Sequence, residues 1–229
     1  MKSPALFASA LAAAALFAFD GAAAPRVVAA AQTVAPALPV ATELTGTART
    51  AALTEASRAL DSIRALQGRF RQVSPSGAVQ TGAFYLQRPG RLRFEYDAPG
   101  PLTVISDGAS VAIRDRAMRT TDQIPLRATP LYFVLKSTIN LEKDARITQV
   151  AKQDNELIIT AKDRSGQTDG QITLTLDMSS KALKRWRIVD GQGQVTQLTL
   201  FDARSAAKLD PKLFQIQDAS DPTARRRGG

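Results

Sequence analysis

The run Gly82-Ala83-Phe84-Tyr85-Leu86-Gln87-Arg88-Pro89-Gly90-Arg91-Leu92-Arg93-Phe94-Glu95-Tyr96-Asp97 decides the fold. Pro89-Gly90 is a turn pair, because proline presets φ for the first central position and glycine accepts the positive φ of the second. Beyond it, Leu92, Phe94 and Tyr96 alternate with Arg91, Arg93 and Glu95. Successive side chains of a strand point to opposite faces, so this segment carries one apolar and one charged face. Two such segments joined by a tight turn lie side by side and antiparallel.

The same pattern extends in both directions. GRFRQVS (68–74) leads into the turn Pro75-Ser76-Gly77, and LTVIS (102–106) and SVAIRD (110–115) flank the favoured hairpin pair Asp107-Gly108. Later strands are expected over ARITQVAK (145–152), ELIITAK (156–162), QITLTLD (171–177), LKRWRIVD (183–190) and QVTQLTLFD (194–202). The result is an antiparallel meander, mainly β.

Two segments break that pattern. Over Ala52–Leu66, the residues Leu53, Ala56, Leu60 and Ile63 recur at helical spacing, which predicts an amphipathic helix ended by Gly68. Thr129-Pro130-Leu131-Tyr132-Phe133-Val134-Leu135 reads as a second helix, with Thr129 as N-cap and Pro130 at its first position. It is more apolar than one buried stripe requires, and a lid over a sheet concavity would bury it.

The ends differ in composition. Lys2, the apolar run Ala5–Phe19 and the alanines before Gln32 predict a signal peptide over 1–31, too short for a comfortable membrane span. Residues 32–50 are expected to be a flexible lead-in, 51–217 the folded domain and 218–229 a disordered basic tail containing Arg225-Arg226-Arg227.

The chain has no cysteine and no histidine, which excludes disulfides, the common nucleophilic triads and the usual zinc ligand sets. It also lacks the cysteine that acylation of the chain itself would need. No phosphate-cradling glycine loop opens a helix. The acids Glu95 and Asp97, or Asp163 and Asp169, fall on strand edges and turns, where solvated carboxylates are ordinary. Asp154, Asn155 and Glu156 lack the spacing of a calcium loop. We expect neither enzyme nor cofactor nor metal. The net charge of +9 suits anionic surfaces or acidic partners. In Leu183–Asp190 the alternation turns Trp186 and Ile188 away from Arg185 and Arg187, which disfavours a nucleic-acid stripe.

Five segments in order, QGRFRQ (67–72), GAFYLQRPGRLRFEYDAP (82–99), ISDGASVAIRD (105–115), the Thr129-Pro130-Leu131 helix and KLDPKLFQI (208–216), resemble the LolA family of periplasmic lipoprotein carrier proteins. The resemblance implies a strongly curved antiparallel sheet forming an incomplete barrel, with helices as a lid over its apolar concavity. It implies a monomer in the periplasm that takes the acyl chains of a lipoprotein from an inner-membrane ABC-type releasing complex and delivers them to an outer-membrane lipoprotein acceptor. Arg88 falls at the family position whose arginine hydrogen-bonds the lid carbonyls and latches the empty cavity. The implied lining is Phe70, Phe84, Leu86, Leu92, Phe94, Tyr96, Val104, Leu131, Phe133, Leu135, Trp186 and Ile188. The same half-barrel also serves envelope proteins that bind another lipid or sense envelope state. The Ala-rich lead-in, the Arg-rich end and the non-aromatic stretch from Met118 to Leu126 depart from the family pattern.

Overall fold

The computed structural model describes residues 41–164 and 170–216, so the expected signal peptide, residues 32–40 of the lead-in, Asp169 and the basic tail lie outside the described residues. The strands are β1 (Thr42–Glu43), β2 (Ala65–Val73), β3 (Val79–Gln87), β4 (Arg91–Tyr96), β5 (Leu102–Asp107), β6 (Ser110–Asp115), β7 (Thr120–Pro125), β8 (Ala145–Gln153), β9 (Glu156–Asp163), β10 (Gln171–Asp177), β11 (Ala182–Val189) and β12 (Val195–Ser205). Helix α1 spans Gly46–Ser62, α2 Tyr132–Leu135 and α3 Leu141–Asp144, with 3-10 turns at Leu126–Ala128 and Pro211–Phe214. No helix among the described residues is long and apolar enough to cross a membrane.

All twelve strands form one sheet in the order β1-β8-β9-β10-β11-β12-β2-β3-β4-β5-β6-β7. Every neighbouring pair is antiparallel. The sheet is open, with β7 at one edge and the two-residue β1 beside β8 at the other. The chain must therefore cross from one edge to the other between β7 and β8, and that crossing carries α2 and α3. The helical cover over the open side is a consequence of strand order.

Curvature shows in a contact across the concavity. β4 and β11 are four places apart in the sheet, about 19 Å if it were flat. Yet the Phe94 and Trp186 rings meet edge-on at 6.0 Å between centroids. Two glycines accommodate the rings at the bend: Gly68 stands opposite Phe84 and Gly82 opposite Phe70 in the β2–β3 register. A Cβ on Gly82 would overlap the Phe70 ring, so the ring lies over the bare backbone of the neighbouring strand.

The expected hairpins form. Gly90 takes φ 75° in the β3–β4 turn, and Asp107 Oδ1 accepts from the backbone N–H groups of Ala109 (2.8 Å) and Ser110 (2.9 Å). Three local expectations are corrected. Helix α1 starts at Gly46, inside the expected lead-in, and ends at Ser62, while Ala65 and Leu66 join β2 by pairing with Gln87 and Leu86. Gly68 is a strand residue rather than a helix stop; cross-strand pairing overrides helical periodicity there. Thr129 does not cap α2, because its hydroxyl donates to Leu126 O at 2.8 Å and closes the preceding 3-10 turn. The helix begins three residues later, at Tyr132.

The β10–β11 turn supplies a pH-dependent element. Asp177 Oδ1 accepts from the backbone N–H groups of Ser180 (2.8 Å) and Ser179 (3.0 Å) and from both serine hydroxyls (2.9 and 2.8 Å). These bonds hold its carboxyl down to about 2. A carboxylate depressed below its unfolded value of about 3.9 stabilises the fold fully above that pH, and this contribution is lost as pH falls toward 2. A carboxyl-carbon NMR titration should place the Asp177 midpoint near 2, and Asp177→Asn should flatten stability against pH over that window.

Candidate functional site

Directly opposed residues of antiparallel strands share a face. The register sets Leu86 against Leu92, Phe84 against Phe94 and Phe94 against Val104. On the other wing Trp186 lies between Leu174 and Leu198. These rows line the concave side. Phe70, Phe84, Leu86, Leu92, Phe94, Tyr96, Val104 and Trp186 are buried in one cluster with Leu131 and Leu135 of the lid segment, while Phe133 and Ile188 are partly buried and packed against it. All twelve apolar residues singled out in the sequence thus meet. Phe70 joins Phe94 at 4.9 Å and Tyr96 at 5.0 Å, both edge-on.

The face is not wholly apolar. Tyr96 donates its hydroxyl to Gln72 Oε1 at 2.7 Å. Burial pushes the phenol pKa up, outweighing the opposing effect of that bond. Ser106, fully buried, donates to Gly90 O at 2.6 Å and ties the β3–β4 turn to β5.

Arg88 directly follows β3 and opens the β3–β4 turn, two positions on from Leu86 and four from Phe84. Its backbone N–H donates to Arg64 O at 2.8 Å. The side chain lines a cleft with Gly90, Leu126, Tyr132 and Leu135, at the junction of rim and lid. Only 7% of Arg88 is exposed, and Nε, Nη1 and Nη2 find no hydrogen-bond acceptor. Desolvation pushes the guanidinium pKa down to about 10, against the attraction of Asp61 and with the repulsion of Arg64. The bond that joins lid to rim is a backbone one, from Gly90 N–H to Leu135 O at 2.7 Å. The expected latch bonds from the Arg88 guanidinium to lid carbonyls are therefore not made. Those carbonyls are engaged within the lid: Thr129 O accepts from Tyr132 N–H, Leu131 O from Val134 and Leu135, and Tyr132 O from Lys136.

Residues 61–217 match the family described as outer membrane lipoprotein carrier protein LolA. The chain belongs to this LolA family. An outer-membrane lipoprotein carrier protein of Methylococcus capsulatus is 30% identical over 166 residues, covering 69% of this chain and 79% of that protein. One from Alkalilimnicola ehrlichii is 25% identical over 190 residues, covering 76% and 83%. Among solved structures, a putative outer membrane lipoprotein-sorting protein domain from Vibrio parahaemolyticus aligns with TM-score 0.46 and 12% identity, covering 71% of this chain and 94% of that one. A LolA superfamily protein from Nitrosomonas europaea aligns with TM-score 0.41 and 13% identity, covering 72% and 97%.

On the convex side of this LolA-family sheet three ion pairs form, Arg69–Asp97, Arg93–Glu95 and Arg185–Glu156. Arg93 bonds Glu95 at 2.6 Å and Leu213 O at 3.0 Å, and Arg185 bonds Glu156 at 2.5 Å. Asp97 is clasped by Arg69 and Thr81, which hold its carboxyl below the usual range. Glu95 and Asp97 are each engaged by an arginine rather than facing a common substrate position. Several residues of the concave cluster escaped the sequence reading as lining: Ile159, Leu174, Leu198 and Leu200, with Leu53 and Leu60 of α1. Two-residue alternation in β9, β10 and β12 was the signal available for the first four.

Proposed function

We propose that this chain is a periplasmic lipoprotein carrier, working as a monomer, whose concave face takes the acyl chains of its cargo when α2 and α1 part from it. The carrying observation is the continuous apolar face from β9 to β6, closed by the lid segment, in a chain of the LolA family. In this reading an inner-membrane ABC-type complex loads the cargo and an outer-membrane lipoprotein acceptor removes it, with binding rather than catalysis as the activity.

Energetics favour such a closed resting state. Each buried methylene is worth about 0.8 kcal/mol, so an acyl chain of roughly fifteen would gain about 12 kcal/mol on entering an empty, dry cavity. Release would then be prohibitively slow. Here the same side chains already bury one another and the lid, with Leu131 and Leu135 within the cluster. Cargo gains only the difference between its own burial and the contacts it displaces. That difference permits both uptake and transfer.

Purification from native envelope extract tests the reading. Acylated lipoprotein should co-elute one to one with the carrier. Phospholipid in its place, or a chain that stays empty when offered acylated lipoprotein, would overturn it.

A further inference from the structure

We propose that Arg88 recognises the polar end of the acyl cargo, its guanidinium donating to the acyl carbonyl oxygens where the chains leave the apolar face. This rests on the carrier reading and adds a chemical selectivity to it.

Phe84 and Leu86 close the inward row of β3, and Arg88, the first residue after the strand, is buried two positions further on: two hydrocarbons and then a cation. Inward positions on a strand are about 6.6 Å apart, so Arg88 stands one step beyond the apolar surface, at its rim. An acyl group has the same order: methylenes, then at once a carbonyl oxygen. Chains laid along Phe84 and Leu86 bring their carbonyls to Arg88.

In the closed state the demand for such oxygens is unmet. Arg88 is more than nine-tenths buried, and none of its three side-chain nitrogens has an acceptor. Backbone acceptors nearby are already taken, Leu135 O by Gly90 N–H and Gly90 O by Ser106. A guanidinium offers five donors in a plane, enough for two neighbouring carbonyls, as a diacylglyceryl group presents them. A buried charged donor without a partner is costly, so an acceptor arriving on an apolar tether meets a site already desolvated for it.

A matched pair of probes isolates the carbonyl: a medium-chain diacylglycerol and the dialkyl ether of the same chain lengths. Trp186, the single tryptophan and a lining residue, reports occupancy by its fluorescence. The unsubstituted protein should bind the ester about tenfold to a hundredfold more tightly than the ether, as expected for hydrogen bonds to a charged group. Arg88→Leu should bind both alike, at the affinity of the ether, and Arg88→Lys should keep part of the preference. Equal binding of both probes by the unsubstituted protein, or a preference undiminished in Arg88→Leu, overturns the proposal and leaves the carrier reading intact. Failure of the unsubstituted protein to bind either probe overturns both. The ester-to-ether ratio of the unsubstituted protein decides the question even if a variant does not fold.

Discussion

Phe94→Ala should lower the stability of the folded chain by about 4 kcal/mol, near the middle of the range for truncating a buried phenylalanine. The ring touches Phe70 at 4.9 Å, Trp186 at 6.0 Å and Phe84 at 6.5 Å. Those partners sit on three other strands, β2, β11 and β3, so the lost contacts include the one that bridges the two wings of the sheet. Surrounding strands can collapse into the void only by curling further, which the glycine-backed rings resist. Urea unfolding would measure the loss. Phe201→Ala, at a convex position 39% exposed, should change stability by no more than about 0.5 kcal/mol. If the two variants lost equal amounts, the Phe94–Trp186 contact would not be part of the folded core.

Gly82→Ala is the second large effect, at about 3 kcal/mol, the upper part of what overpacking costs. The added Cβ would lie 2.1 Å from the carbonyl oxygen of Glu95 and 2.5 Å from a Phe70 ring carbon. One of those neighbours is backbone in the adjacent strand and cannot rotate away. The other is the ring that contacts Phe94 and Tyr96. Accommodation must therefore open the β3–β4 ladder or expel Phe70 from the cluster. A shift in the urea midpoint with unchanged slope would mark a pure stability loss, and a near-UV spectrum should show the aromatic cluster loosened. Wild-type stability in Gly82→Ala would contradict the close approach of Phe70 to β3.

Most of the strand order was legible because it rests on local signals. Leu92, Phe94 and Tyr96 alternate with charges, Asp107-Gly108 closes a hairpin, and each strand from Ala145 to Asp202 carries its own period. β7 was not legible: Thr120–Pro125 has exposed residues on both faces, so nothing in its composition marks it as extended. The early start of α1 was hidden for a related reason, since Gly46–Ala51 adds little apolar periodicity and is held by its position beside β1 and β8. The lining residues could be chosen by alternation, but the meeting of Phe94 with Trp186 could not, because curvature is a property of the whole sheet. The same holds for Arg88. Its location at a strand end was readable in Arg88-Pro89-Gly90, whereas the lack of any acceptor depends on where the lid carbonyls turn.

The crossing from β7 to β8 is fastened at both ends, to opposite margins of one open sheet. A strip held that way cannot swing clear like a flap on a single hinge; it can only bow outward or let its two anchorages move apart. Anything that filled the concavity would have to widen the gap between the margins as it lifted the cover, and its presence would register on the outside of the molecule, along β7 and β8.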